Sequence, residues 1–299
     1  MINGETSLVG LLGNPVNHSL SPVMHNAALK KMGLNWCYIA MPCEAKRLDI
    51  VTKALRELNY KGLNITIPHK QNILKICNQI SPLAKRLGAV NTLVPNQEGG
   101  WNGLNTDVEG FLAPLQTSNW NGKKAIVLGC GGSARAVIAG LQNLNFYQIC
   151  VIGRKPNSLA SLVKEITEKS TEADKNSTLI KGLLQNDKKL IIEIKEANLI
   201  VNTTPVGMFS KATSKELIEV FPIEKKIWEN LQPQTTLYDL IYTPRPTAWL
   251  KLGAEYGCKP IDGLEMLIQQ GAASLKIWSN YEAVPIDVMR EAAQNYLDS

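Results

Sequence analysis

Short apolar runs alternate with longer runs of three-to-four-residue apolar period along the first hundred positions. "SLVGLLG" (7–13), "WCYIAMPC" (36–43), "GLNITIP" (62–68) and "GAVNTLVPN" (88–96) are short and apolar, the pattern that predicts strands. Between them, "SPVMHNAALKKMGL" (21–34) predicts a helix with Ser21 as N-cap and Pro22 at the first helical position. In "AKRLDIVTKALRELN" (45–59), Leu48, Val51, Leu55 and Leu58 fall on one helical face, while Lys46, Arg47, Lys53 and Glu57 fall elsewhere. Strands alternating with helices predict parallel pairing in an α/β layer structure.

A second series starts near Asn121. "KKAIVLG", "YQICVIG", "ANLIVNTTP" and "TTLYDLIY" predict strands; "SARAVIAGLQNL" and "NSLASLVKEITEKS" predict helices between them. "LEMLIQQGAASLKIW" (264–278) is apolar nearly all round, which predicts a well-buried helix. The polar tract from Thr167 to Lys189 has few apolar anchors and predicts a loop or frayed connection. Phe209 to Pro233 predicts a short helix or loop whose role is unreadable from its residues. No repeat of fixed period is visible.

Composition narrows the classes. A chain of 299 residues accommodates two domains of about 150 residues. Its residues are 44% hydrophobic, yet no run approaches the ~18 consecutive apolar residues of a membrane span. The opening "MINGETSLVG" has no basic stretch followed by an apolar one, so the expectation is a soluble, cytoplasmic protein. The six cysteines are scattered without a C-x-x-C pair, in mostly apolar surroundings, which predicts buried free thiols. His18, His25 and His69 share no metal-ligand spacing with them, so no metal site is expected. A net charge of +6, spread along the chain, suits anionic small molecules and does not mark a nucleic-acid-binding protein.

The most explicit local chemistry is "VLGCGGSARAV". Gly129, Gly131 and Ala134 satisfy G-x-G-x-x-[GA] directly after a predicted strand and at the opening of a predicted helix. Gly129 permits the tight turn, Gly131 lets backbone approach a pyrophosphate, and Ala134 allows close helix–strand packing. The turn residues Gly132 and Ser133 open the helix, whose free N–H groups suit phosphate. The bland alternative is a glycine-rich turn that only redirects the chain. After the next strand, where an NAD site usually carries a carboxylate for the ribose, the chain reads Gly153-Arg154-Lys155. A guanidinium can pair with a 2′-phosphate and stack on adenine, so NADP is favoured over NAD; a solvated basic turn is the alternative.

Four earlier segments are rich in polar groups at strand ends: "GNPVNHSLSPVMHN", "NITIPHK", "GAVNTL" and "GLNTD". With "GCGGSARA", "VNTTPVGM", "YDLIYTPRPT" and "DGLEMLIQQGA", in that order, they closely resemble the shikimate dehydrogenase family across nearly the whole chain. The resemblance implies reversible NADP-dependent oxidation of shikimate to 3-dehydroshikimate, in the pathway to aromatic amino acids. It implies that Ser19 and Ser21 bind the substrate carboxylate, and that Thr66, Asn91, Gln270 and Tyr242 contact substrate. It implies a catalytic Lys70 paired with Asp107, and, besides the glycine turn, Thr203, Leu240 and Gly263 near the dinucleotide. Two departures stand out: Gly153 replaces the family's usual asparagine, and the segment after Met208 lacks the short proline-containing turn.

Taken singly, Lys70 reads as a solvated helix start and Asp107 as the N-cap of "VEGFLAPL". Whether the lysine relays a proton or acts as an electrostatic clamp stays open in the sequence, and neither His18 nor His69 is needed as a base. The resemblance implies an N-terminal α/β substrate domain (1–107 with 264–299) and a Rossmann-type NADP-binding domain (108–263), with a cleft between them that a hinge could close. Monomer and homodimer are both compatible with the sequence. A quinate/shikimate dehydrogenase using NAD and a non-catalytic ligand sensor of the same fold are the alternative functions.

Overall fold

The computed structural model describes residues 2–169, 178–208 and 222–299. The chain divides into two compact units, residues 1–113 with 267–299, and residues 114–266.

The first unit is built on a six-stranded sheet: β1 (Ser7–Gly13), β2 (Trp36–Pro42), β3 (Gly62–Ile65), β4 (Gln79–Ile80), β5 (Thr92–Pro95) and β6 (Trp101–Leu104). Their spatial order is β2-β1-β3-β5-β6-β4. β2, β1 and β3 run parallel, as the alternation with helices predicts, but β5 is antiparallel to both β3 and β6. Loop length accounts for the β5–β6 pair. Only residues 96–100 join β5 to β6, with Gly99 and Gly100 at positive φ, which makes a hairpin; a parallel crossover needs a dozen or more residues. Two strands, β4 and β6, were not evident in the sequence.

The helix predicted at Ser21 begins there, one residue earlier than expected: Leu20 is the N-cap, and Ser19 Oγ accepts the Ser21 N–H at 3.2 Å. In the helix Leu48–Glu57, Leu48 and Leu55 are buried with Ile65, Leu63 and Trp101. Leu58 lies past the helix end and is exposed, unlike its predicted place on the apolar face.

The second unit holds β7 (Lys124–Leu128), β8 (Gln148–Gly153), β9 (Leu179–Leu184), β10 (Leu199–Asn202), β11 (Thr236–Asp239) and β12 (Lys259–Ile261) in the order β12-β11-β10-β7-β8-β9, all parallel. Counted from β7, that is the 3-2-1-4-5-6 order of the doubly wound dinucleotide fold, with its reversal between β7 and β10. Ile126, Val127, Ile149, Val151, Ile200 and Val201 are all buried, as strands covered on both faces require.

The tract expected to be a loop from Thr167 to Lys189 differs in its described part: a helix runs on to Lys169 and β9 occupies Leu179–Leu184. β9 is an edge strand with half-buried or exposed residues, so its apolar signal is thin. Residues 209–221 lie outside the described residues; the remainder of that predicted segment carries a short helix, Lys225–Trp228, whose Trp228 packs 5.4 Å from Trp249. All six cysteines are free thiols, but only Cys43, Cys150 and Cys258 are buried as expected; Cys37, Cys77 and Cys130 are half-buried. Among the described residues, no helix is long and apolar enough to cross a membrane.

Candidate active site and nucleotide site

Lys70 leaves the turn after β3, where its carbonyl accepts the Val90 N–H and so ties the turn to the start of β5. Asp107 is the first residue of a short helix, Asp107–Leu112, with Thr106 as N-cap; its carboxylate does not cap the helix. It turns instead to Lys70, whose Nζ donates to Oδ2 at 2.7 Å. Both side chains are largely buried, at 13% and 5% exposure. An ion pair this dry is held by geometry more than by net stability, because desolvation offsets much of the Coulomb gain.

Asn91 fixes the other carboxylate oxygen. Its Nδ2 donates to Asp107 Oδ1 at 2.8 Å, to Thr106 Oγ1 at 2.9 Å and to Gln270 Oε1 at 3.3 Å. The amide cannot flip without loss, since its Oδ1 accepts the Thr106 N–H at 2.8 Å and the Thr92 hydroxyl at 2.9 Å. Lys70, Asp107, Asn91 and Gln270, called from four separate segments, thus form one hydrogen-bonded cluster.

Beneath the cluster lies a buried polar layer that sequence reasoning missed. Asn64 on β3 faces Thr92 on β5 in register. Asn64 Nδ2 donates to Ser274 Oγ at 2.9 Å, and Ser274 Oγ meets Thr92 Oγ1 at 2.8 Å and Thr106 Oγ1 at 3.2 Å. Tyr38 OH closes the layer by donating to Asn64 Oδ1 at 2.8 Å. The available signal was an asparagine inside an apolar strand and a serine four residues after Gln270 on a buried helix.

Ser19 and Ser21 sit together at the start of the helix Ser21–Lys31. His25, fully buried, links them to the Gln270 segment: Nδ1 lies 2.8 Å from Ser21 O and Nε2 3.2 Å from Gly271 O. Burial pushes the His25 pKa down to about 4, against the pull of those two carbonyls. A neutral ring carries one N–H, so it donates to one of the two carbonyls at a time. His69 donates Nε2–H to Cys43 O at 2.7 Å, a structural bond, and His18 is exposed. Thr66 is half-buried, its backbone N–H bonded to Leu12 O.

In the second unit, Gly129 at the end of β7 adopts φ +113°, and a Cβ there would meet Thr203 Oγ1 at 2.6 Å. Thr203 Oγ1 donates to Leu128 O at 2.7 Å, so the ends of β7 and β10 are stitched together at the reversal point. Gly131 caps the helix Gly132–Asn143 with ordinary φ, and a Cβ there would point into open space. Ala134 is fully buried. Open space over Gly131, beside free helix N–H groups at Gly132 and Ser133, is the room a pyrophosphate needs; the turn fits a dinucleotide. Gly153 is backed by Cys130 Sγ and Leu159, and Arg154 and Lys155 follow it exposed, just before the helix Pro156–Lys169.

Leu240 and Gly263 approach backbone to backbone: a Cβ on Gly263 would fall 2.1 Å from Leu240 O, and Gly263 N–H donates to Ile241 O at 3.1 Å. Tyr242 is half-buried in the loop that follows β11. Asp239, which ends β11, is fully buried; burial raises its carboxyl pKa to about 6, against bonds from Thr247, Ile241 and Asn202 that lower it.

Three family descriptions match the chain: "Shikimate dehydrogenase substrate binding domain" over residues 11–93, "Shikimate / quinate 5-dehydrogenase" over 112–222 and "Shikimate 5'-dehydrogenase C-terminal domain" over 263–294. A shikimate dehydrogenase (NADP(+)) of Prochlorococcus marinus (strain MIT 9312) is 50% identical over 99% of this chain and 100% of its own length. Among solved structures, a shikimate dehydrogenase in complex with NADP+ superposes with a TM-score of 0.84 at 34% identity, covering 99% of this chain and 98% of its own. A shikimate 5-dehydrogenase from Listeria monocytogenes, in complex with shikimate and NAD, gives 0.81 at 32% identity and 97% coverage of both.

Proposed function

The chain belongs to the shikimate dehydrogenase family, and from that premise we propose that it oxidises shikimate reversibly to 3-dehydroshikimate with NADP. The observation that carries the reading is the buried Lys70–Asp107 pair, braced by Asn91. The first unit is the substrate domain and the second the NADP domain. A cytoplasmic setting suits two water-soluble anionic ligands, with the protein a monomer or homodimer.

Oxidation of a secondary alcohol removes a hydride from carbon and a proton from oxygen. Bound NADP supplies the hydride acceptor. Lys70 Nζ has three hydrogens and commits one to Asp107 Oδ2, which leaves two for the reacting oxygen. In the reductive direction the Lys70 ammonium delivers a proton to that oxygen and is left as the amine; in the oxidative direction the amine takes the hydroxyl proton back. Asp107, tethered at Oδ1 by Asn91, keeps the ammonium aimed. Asn91 and Asp107 bind the ring hydroxyls, Thr66, Gln270 and Tyr242 are further substrate contacts, and Ser19 and Ser21 bind the carboxylate. Gly129 to Ala134 cradle the pyrophosphate, Arg154 and Lys155 take the 2′-phosphate, Leu240 and Gly263 border the nicotinamide, and Thr203 lies near the dinucleotide. No carboxylate stands at the end of β8 to hold a free ribose hydroxyl, which supports NADP over NAD.

The test is nicotinamide absorbance with shikimate or quinate, each against NADP or NAD. Turnover fastest with shikimate and NADP supports the reading. A preference for quinate or NAD, or no turnover with any pair, overturns it.

A further inference from the structure

The second unit carries a buried carboxylate, Asp239, that the proposed chemistry does not use. It lies at the carboxyl end of β11, the edge along which doubly wound sheets bind ligands. None of its three hydrogen-bond donors is charged: Thr247 Oγ1 donates to Oδ2 at 2.8 Å, and Asn202 Nδ2 and the Ile241 N–H donate to Oδ1 at 3.0 and 3.2 Å. A buried charge satisfied only by neutral donors is costly, the kind of local cost that proteins carry at functional sites.

Each donor leads to a different piece of the nucleotide edge. Asn202 Nδ2 also donates to Val206 O at 3.2 Å, and its Oδ1 accepts the N–H and hydroxyl of Thr204 at 3.0 and 2.7 Å, closing the turn after β10. That turn places Thr203 against Gly129. The Ile241 N–H holds the start of the loop whose neighbouring Leu240 carbonyl abuts Gly263. Thr247 ends the same loop and caps the helix Ala248–Glu255, accepting the Leu250 N–H at 3.3 Å. Arg245, within the loop, pairs with Asp262 on the Gly263 side.

We propose that Asp239 is a positioning residue for the dinucleotide: its carboxylate locks the Thr203–Val206 turn and the Leu240–Thr247 loop to the glycine turn, and so sets affinity for NADP more than for shikimate, for which this loop supplies Tyr242 alone. The proposal rests on reading the second unit as the NADP domain. A carboxylate does what an amide cannot, because it accepts from all three donors at once. An asparagine must present its NH2 either to Asn202 Nδ2, a donor, or to Thr247 Oγ1, whose own proton is then displaced.

The test measures NADP and shikimate dissociation constants separately by calorimetry, with kcat, KM and Tm, for the parent, Asp239→Asn, Asp239→Ala and Thr247→Val. Asp239→Asn should match or exceed the parent Tm while weakening NADP about tenfold, and should change the shikimate dissociation constant by less than twofold. Thr247→Val should weaken NADP in the same direction, which keeps the test open if Asp239→Ala fails to fold. A folded Asp239→Asn that binds NADP within twofold of the parent, or that loses NADP and shikimate alike, overturns the proposal. A parent that binds shikimate but no NADP overturns the domain reading itself and the proposal with it.

Discussion

Lys70 and Asp107 stand 37 positions apart in the chain and meet at 2.7 Å, where each is the other's principal charge partner. Replacing Lys70 by Ala removes the proposed proton donor and leaves a carboxylate buried without its cation. The first loss should lower kcat by about 10²–10⁴-fold. The second should cost about 3–5 kcal/mol of stability. Steady-state kinetics and urea denaturation of Lys70→Ala read the two separately. A kcat near the parent's would refute the role given to the lysine.

Asn91 works by orientation. Asn91→Ala would strip the Thr106 N–H and Asp107 Oδ1 of a partner each. Leaving such buried groups unpaired costs about 1–3 kcal/mol. With the carboxylate no longer tethered, kcat should fall along with stability. The check is a urea midpoint beside a progress curve; a fall in shikimate affinity at unchanged kcat would reduce Asn91 to a binding residue.

The fold's legibility follows the range of the interactions. The glycine turn could be read because strand, turn and helix are contiguous, and the positive φ of Gly129 is written into one residue. The parallel sheet of the second unit showed in uniformly apolar runs such as "AIVL" and "ICVI". β9 did not, because an edge strand buries too little to impose a pattern. Ser274 was invisible for a different reason. Its partners Asn64, Thr92 and Thr106 come from three remote segments, and no local rule distinguishes a hub serine from a small residue filling a helix crossing. Only the ordered set of family-like segments pointed to Lys70 beside Asp107.

Acid should act on the two units in opposite directions. Asp239, raised from 3.8 to about 6, binds a proton in the folded state before it does so unfolded. Stability linked to it therefore rises as pH falls from about 7 to about 4. His25, lowered from 6.5 to about 4, is protonated first in the unfolded chain, so its contribution is lost over nearly the same window. Each effect amounts to roughly 3 kcal/mol at its limit. Hydrogen exchange should show strands β7, β10 and β11 gaining protection between about pH 7.5 and pH 5 while β1 and β3 lose it. Asp239→Asn should abolish the gain and His25→Gln the loss. Equal pH responses in parent and variants would show that neither group titrates this way.

Two glycines of one turn should fail differently. Gly129 holds φ +113° with Thr203 Oγ1 where a side chain would begin, so Gly129→Ala must strain the backbone and push β10's end away. Its Tm should fall together with NADP affinity. Gly131 has an ordinary φ and open space around its missing Cβ. Gly131→Ala should therefore keep the parent Tm, or gain a little from reduced unfolded-state entropy, by about 0.4–1 kcal/mol. The added methyl then occupies the approach proposed for the pyrophosphate, and NADP affinity should drop with stability intact. Differential scanning calorimetry beside NADP titration separates the two variants. If Gly131→Ala bound NADP as the parent does, the phosphate path would have to run elsewhere along the strand ends, and the assignment of the turn would fall.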